Sequence, residues 1–186
     1  MKRVIAACSV SGDAACTDKE LKAALGQWLQ TPPRRIDRMI LQALLCTAPL
    51  KAKAHKRCGL YLASRHPDRA TMGALLDAVC VHQRQPKPFE FVNSVSNAAG
   101  FHIAAQLGLD GPNLFIGAGT RVWPQLQALA ALDLADGLID QALLAVINEN
   151  GSFLAQAVLL DGATHARDFD ELSAGTQVLC LQMQGG

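Results

Sequence analysis

The residues able to do chemistry are scattered along this chain. Six cysteines (Cys8, Cys16, Cys46, Cys58, Cys80, Cys180) and five histidines (His55, His66, His82, His102, His165) never come together at metal-ligand spacing, so no metal is expected. Ser94 and Ser96 are potential nucleophiles, but a serine needs a sharp Gly-x-Ser-x-Gly elbow and a base, and the sequence has no such motif. Gly117-Ala118-Gly119-Thr120 begins like a dinucleotide-binding loop, yet Val122 stands where the third glycine belongs, so no cofactor is expected. Asp133 and Asp136 read as a solvated helix edge rather than an acid/base pair. Lys51, Lys53, Lys56 and Arg57 read as a solvated basic loop whose functional alternative is a dock for an acidic carrier domain.

The elements that would position any of these follow from pattern. Apolar, partly β-branched runs predict strands at 3–10, 58–65, 113–119, 141–149 and 176–184. Between them lie helices. Thr17 with Glu20 forms a capping-box signature, residues 36–50 are apolar over most of a helical circumference, and Gly108 ends a small-residue helix. Segment 84–94 reads as a proline-interrupted loop, Asn150-Gly151 as a turn, and 151–170 matches no element. The order is β-α-α-β-α-α-β-α-β-loop-β. It predicts one α/β domain spanning 1–186, a mainly parallel five-stranded sheet covered by helices.

Composition narrows the function class. The chain has 186 residues, 50% of them hydrophobic, and a net charge of +1, which suits a well-filled core and argues against disorder, nucleic acid or a membrane surface as partner. Lys2 and Arg3 precede an apolar run of only Val4–Ala7, below the roughly 7–15 residues of a secretory signal. No run approaches the roughly 18 apolar residues of a membrane span, so no membrane insertion is expected, and the six scattered cysteines read as buried free thiols of a reducing cytosol, so a cytoplasmic location is expected.

The stretch from Gly111 to Asp140 takes the reading further. A tight turn and an apolar strand pass through Gly-Ala-Gly-Thr into a long alanine- and leucine-rich helix. Together with "SNAAGFHIAAQLGLDGPN" upstream, it resembles the N-terminal half of β-ketoacyl synthases, which have a thiolase-like fold. The anchors are Asn97, Gly111, Pro112 and Gly119 around the elbow, and Gly137-Leu-Ile-Asp140 after the helix. "RRIDRMILQALLCTAPL" is similar to the family's early Asp-Arg helix, "CGLYLAS" to its second strand and "ALLAVINE" to a later one.

On that alignment the nucleophilic cysteine falls at Thr120, followed by Arg121 and Trp123, which would crowd the mouth. A threonine hydroxyl, unlike a thiolate at a helix N-terminus, needs a strong base beside it. The family's catalytic histidines come from a C-terminal half that these residues do not match, so no catalytic residue is expected. The resemblance implies a non-catalytic, chain-length-factor-like subunit in polyketide, aryl-polyene or fatty-acid-type biosynthesis. Its partner would be a ketosynthase subunit, joined through the strand Asn113, Leu114, Phe115, Ile116 and Gly117, with an acyl carrier protein as a further partner and a homodimer through the same strand as the alternative. Two other readings stand beside it: a small acyl-transfer or hydrolytic enzyme using Thr120 or a nearby serine, and a binding or scaffold protein that retained the fold.

Overall fold

All five predicted strands form, and they run in one direction. The computed structural model describes residues 4–13, 15–66 and 69–185; Lys2 and Arg3, weighed above as part of a signal and of the first strand, lie outside them. The strands are β1 (Val4–Gly12), β2 (Cys58–Ser64), β3 (Asn113–Gly117), β4 (Gln141–Asn150) and β6 (Val178–Met183). The difference from the expected five-stranded sheet is a sixth strand, β5 (Ser152–Leu160), in the unassigned segment. It folds back from β4 through Gly151, whose φ of 80° is the left-handed conformation a tight hairpin needs. β5 then pairs antiparallel with both β4 and β1, giving the order β3-β2-β4-β5-β1-β6.

Among the described residues seven α-helices accompany the sheet: α1 (Asp18–Leu25), α2 (Arg38–Thr47), α3 (Arg69–Leu76), α4 (Pro88–Asn93), α5 (Ala98–Leu107), α6 (Val122–Ala135) and α7 (Phe169–Ser173). A 3₁₀ turn, Ala48–Lys53, extends α2, and a π turn, Asp77–Val81, extends α3. The segment expected as a proline-interrupted loop contains α4, because Pro88 occupies a first-turn position where its missing N–H costs nothing. The capping box is present: Thr17 Oγ1 accepts from Glu20 N–H while the Glu20 carboxylate accepts from Thr17 N–H at 2.6 Å.

The sheet is apolar on both faces and separates two cores. One holds α1, α2 and α5 residues against Cys8, Val10, Leu60, Leu62, Leu143 and Phe153. Nine of the ten α2 residues are buried, so this helix is sandwiched between sheet and helices, and each fully buried Leu or Ile contributes about 2 kcal/mol. The second core is smaller, with Trp123, Leu126 and Ala130 of α6 and Phe169 and Leu172 of α7 against Tyr61, Leu144 and Val158.

The entry to β3 is closely packed. A Cβ on Gly111 would lie 2.4 Å from the Cys58 carbonyl oxygen, while Leu60 N–H donates to the Pro112 carbonyl at 2.7 Å. Backbone cannot yield as a side chain can, so Gly111→Ala should cost about 2–3 kcal/mol in urea unfolding. A Cβ on Gly119 meets nothing within 4 Å, so Gly119→Ala should leave the same transition unmoved.

Candidate functional site

The elbow lies where β3 passes into α6. Ala118 N–H donates to the Ser64 carbonyl at 2.8 Å, which carries the β2–β3 ladder one step past the end of both strands. Gly119, Thr120 and Arg121 are exposed. Among the described residues Thr120 Oγ1 has no hydrogen-bond partner, so no acid or base is placed to activate it. Gly117, like Gly119, would meet nothing within 4 Å if it carried a Cβ, so these glycines are not there to let strand and helix pack closely.

α6 is held from three sides. The Tyr61 hydroxyl donates to Asp133 Oδ2 at 2.5 Å, so Asp133 is a tie to the sheet rather than a free solvated edge. Burial, and then that bond, raise the Tyr61 pKa, keeping the phenol protonated. Buried Gln127 donates to the Trp123 and Ala166 carbonyls and accepts from Thr164 Oγ1 and Ala166 N–H, so loop and helix are joined with every amide atom satisfied. Trp123 is buried against Phe169, with ring centroids 5.6 Å apart, and so packs in the core and does not crowd the elbow mouth. Arg57 donates to the Gly137 carbonyl at 2.5 Å and pairs with Asp140, fixing the turn after α6 and removing one charge from the basic loop.

The other singled-out residues sit elsewhere. Asn97 precedes α5 and donates through Nδ2 to the Asn113 carbonyl at 3.4 Å, at the start of β3 and about 13 Å along the strand from the elbow. Ser94 Oγ, in the same connection, donates to the Phe91 carbonyl at 2.7 Å. Leu114 is exposed, Phe115 packs on the first core and Ile116 on the second, and β3 is an edge strand with one side unpaired. Cys8, Cys16, Cys46 and Cys58 are buried. Burial, with Cys180 nearby, pushes the Cys8 thiol up to about 12, and burial pushes Cys58 to about 12 as well, so neither supplies a thiolate. No group of three or more metal-ligating side chains occurs among the described residues.

A cavity of about 1460 Å³ opens beside the carboxyl ends of β2 and β4 and does not include the elbow. At its floor Arg38 donates through Nε to Glu149 Oε1 at 2.6 Å and through Nη1 to the Cys16 carbonyl at 2.7 Å and Asp18 at 3.2 Å. Gln42 Nε2 donates to Glu149 Oε2 at 3.0 Å, which fixes the amide orientation and leaves its buried Oε1 without a partner. Asp37 caps α2 at Ile40 N–H and accepts from Thr71 Oγ1, binding α3 over the cavity. Motif reasoning marked Asp37 and Arg38 only as part of a helix; their polarity at the start of an otherwise apolar run was the available signal.

No family model and no curated protein matches the chain. Solved structures do. The ketosynthase ApeO in complex with its chain length factor ApeC from Xenorhabdus doucetiae matches at TM-score 0.64 and 17% identity, over 87% of this chain and 79% of that one. The fold is ketosynthase-like. The ishigamide ketosynthase/chain length factor gives a TM-score of 0.66 at 15% identity, over 89% of this chain and 63% of that one. A type II acyl-carrier protein in complex with its ketosynthase, AntDE:AntF, gives 0.54 at 14% identity, over 71% and 44%. The chain thus spans less than two thirds of the ishigamide and AntDE:AntF chains it matches. At these identities the ketosynthase-like likeness concerns the fold, and function rests on the site.

Two outcomes follow from this geometry. Arg38→Leu strips Glu149 and the Cys16 carbonyl of a charged donor, and should lower stability by about 2–4 kcal/mol in denaturant titration. Burial holds the His102 pKa below its ordinary 6.5, with the Asp37 carboxylate opposing. A group depressed in the fold stabilises it when neutral, so this contribution is full above pH 6.5 and is lost as pH falls through the folded value. His102→Gln should flatten that part of the stability–pH curve.

Proposed function

We propose that this protein is a non-catalytic, chain-length-factor-like subunit that pairs with a ketosynthase in polyketide, aryl-polyene or fatty-acid-type biosynthesis in the cytoplasm. The observation that carries it is the elbow. Thr120 is exposed in the turn from β3 to α6, at the position that the resemblance to ketosynthases gives the nucleophile, with no acid or base hydrogen-bonded to it among the described residues. A neutral hydroxyl so placed neither accepts nor releases an acyl group at a useful rate.

The partner joins at the β3 edge, Asn113 to Gly117, where unpaired backbone groups invite strand addition. An acyl carrier protein is the second expected partner, and neither a metal nor a cofactor is needed. Lys56 pairs with Asp110 at 3.0 Å as Arg57 does with Asp140, and the remaining Lys51 and Lys53 sit on the 3₁₀ turn that precedes β2, at the end of the sheet opposite the elbow. No observation favours the hydrolase reading, since Ser94 spends its hydroxyl on a local carbonyl.

The test is recovery of the tagged protein from its native host. A ketosynthase in near-equal amount is expected with the unaltered chain. Leu114→Asp, which buries no charge in the monomer, should lose that partner, whereas Thr120→Ala should keep both partner and pathway product. Loss of product with partner retained in Thr120→Ala would make Thr120 catalytic and overturn the reading.

A further inference from the structure

The stretch 71–93, from α3 to the end of α4, is attached to the molecule without being packed into it. Only Ala78 and Asn93 of it are buried, while Met72, Leu76, Val79, Val81, Phe91 and Val92 are all exposed. The next helix is built the other way: α5 buries Ala98, Ala99, Gly100, Ile103 and Leu107. α3, its π turn and α4 pack on one another, and none of them packs to a similar extent on the sheet or on another helix. A region with so few buried apolar contacts opens locally at much lower free energy than the core.

The stretch is braced from within. Arg84 N–H donates to the Ala78 carbonyl at 2.8 Å, and the Arg84 guanidinium pairs with Glu90 at 3.7 Å, so the π turn and α4 hold together as one body. Among the described residues its side-chain ties to the rest of the molecule converge just ahead of α2. Thr71 Oγ1 donates to Asp37 Oδ2 at 2.9 Å, and Asn93 Nδ2 donates to the Arg35 carbonyl at 2.9 Å. The Arg35 guanidinium also lies 5.1 Å from the centre of the Phe89 ring. Arg35 has a φ of 57°, a left-handed conformation that a residue with a Cβ holds only where its surroundings compel it. Release of these ties relaxes that backbone, which gives the stretch a second state to move to.

We propose that residues 71–93 are a lid over the cavity, latched at Arg35 and Asp37 and opening as one body. Both halves of the latch line the cavity, as do Thr71, Phe89 and Asn93, so opening uncovers the floor where Gln42 meets Glu149. The device belongs to the isolated chain and does not depend on the partner reading.

Hydrogen exchange of the purified chain, read peptide by peptide by mass spectrometry, tests this. The amides of α3 and α4 should exchange together, about a hundredfold faster than those of α5. Thr71→Val/Asn93→Ala removes both hydrogen bonds of the latch and should speed lid exchange about a further tenfold. Thr71→Ser, which keeps the hydroxyl, should match the parent. Exchange in α5 and the sheet should stay unchanged in every variant, whereas misfolding would raise it everywhere. Met39 is a buried wall of the cavity, so a maleimide should label Met39→Cys about tenfold faster when the latch is removed. Equal protection of α3, α4 and α5 would overturn the lid, as would exchange of α3 and α4 at unrelated rates, which is fraying and not the movement of one body. A faster lid with unchanged labelling at Met39→Cys would detach the movement from the cavity and overturn its gating.

Discussion

Every residue of β2 is buried, and the architecture depends on that one strand. It lies between β3 and β4, so both of its ladders are filled, and both of its faces must be covered. The first face has α2 and α5 against it. The second has α6, and α6 is where the chain invests its buried polar contacts. Tyr61 reaches out of β2 itself to hold Asp133, and Gln127 holds the loop that leads to α7. A shift of α6 would uncover the second core and break these bonds at once, which is why the elbow preceding it has a fixed shape although its own residues touch little.

That division explains the contrast between elbow and cavity. At the elbow the residues are open, small and unpartnered. Around the cavity the polar groups are bound to one another, with Arg38 joining the end of β4 to the start of α1 and Asp37 joining α2 to α3. An arginine spent on two carboxylates and a backbone carbonyl is a fastening, and the cavity's charge is largely consumed by its own construction. The segment that roofs it is mixed: α3 and α4 turn Thr71 and Glu90 to the cavity together with Leu75 and Phe89.

Much of the architecture was legible. The five parallel strands announced themselves as apolar runs, the capping box at Thr17 marked α1, and Gly108 ended α5 in the left-handed conformation, φ 74°. β5 was missed because its burial alternates only over Ser152–Gln156, where exposed Leu154 blurs the polar half of the pattern, and Ala157 to Leu160 are buried on both faces. Its true signal was Asn150-Gly151 between two apolar runs, a hairpin mark taken only as a turn. At the candidate site, the elbow and its Thr120 could be placed by spacing. The roles of Asp133, Gln127 and Trp123 could not, because each depends on what a distant segment brings to it. The exposure of α3 and α4 was equally hidden: apolar residues in a helix look the same in sequence whether a core covers them or not.

The position of β5 has a consequence for how the chain is made. β1 emerges first, yet its partners are β5 and β6, both in the final third of the sequence. While the middle of the chain folds, β2, β3 and β4 can already assemble around their helices, but Val4 to Gly12 has nothing to pair with. Synthesis therefore proceeds with an apolar strand held waiting, and closure of its loop of roughly 150 residues comes last. Assembly of this lobe is slow by topology, because its first strand can pair only with strands that follow more than a hundred residues later.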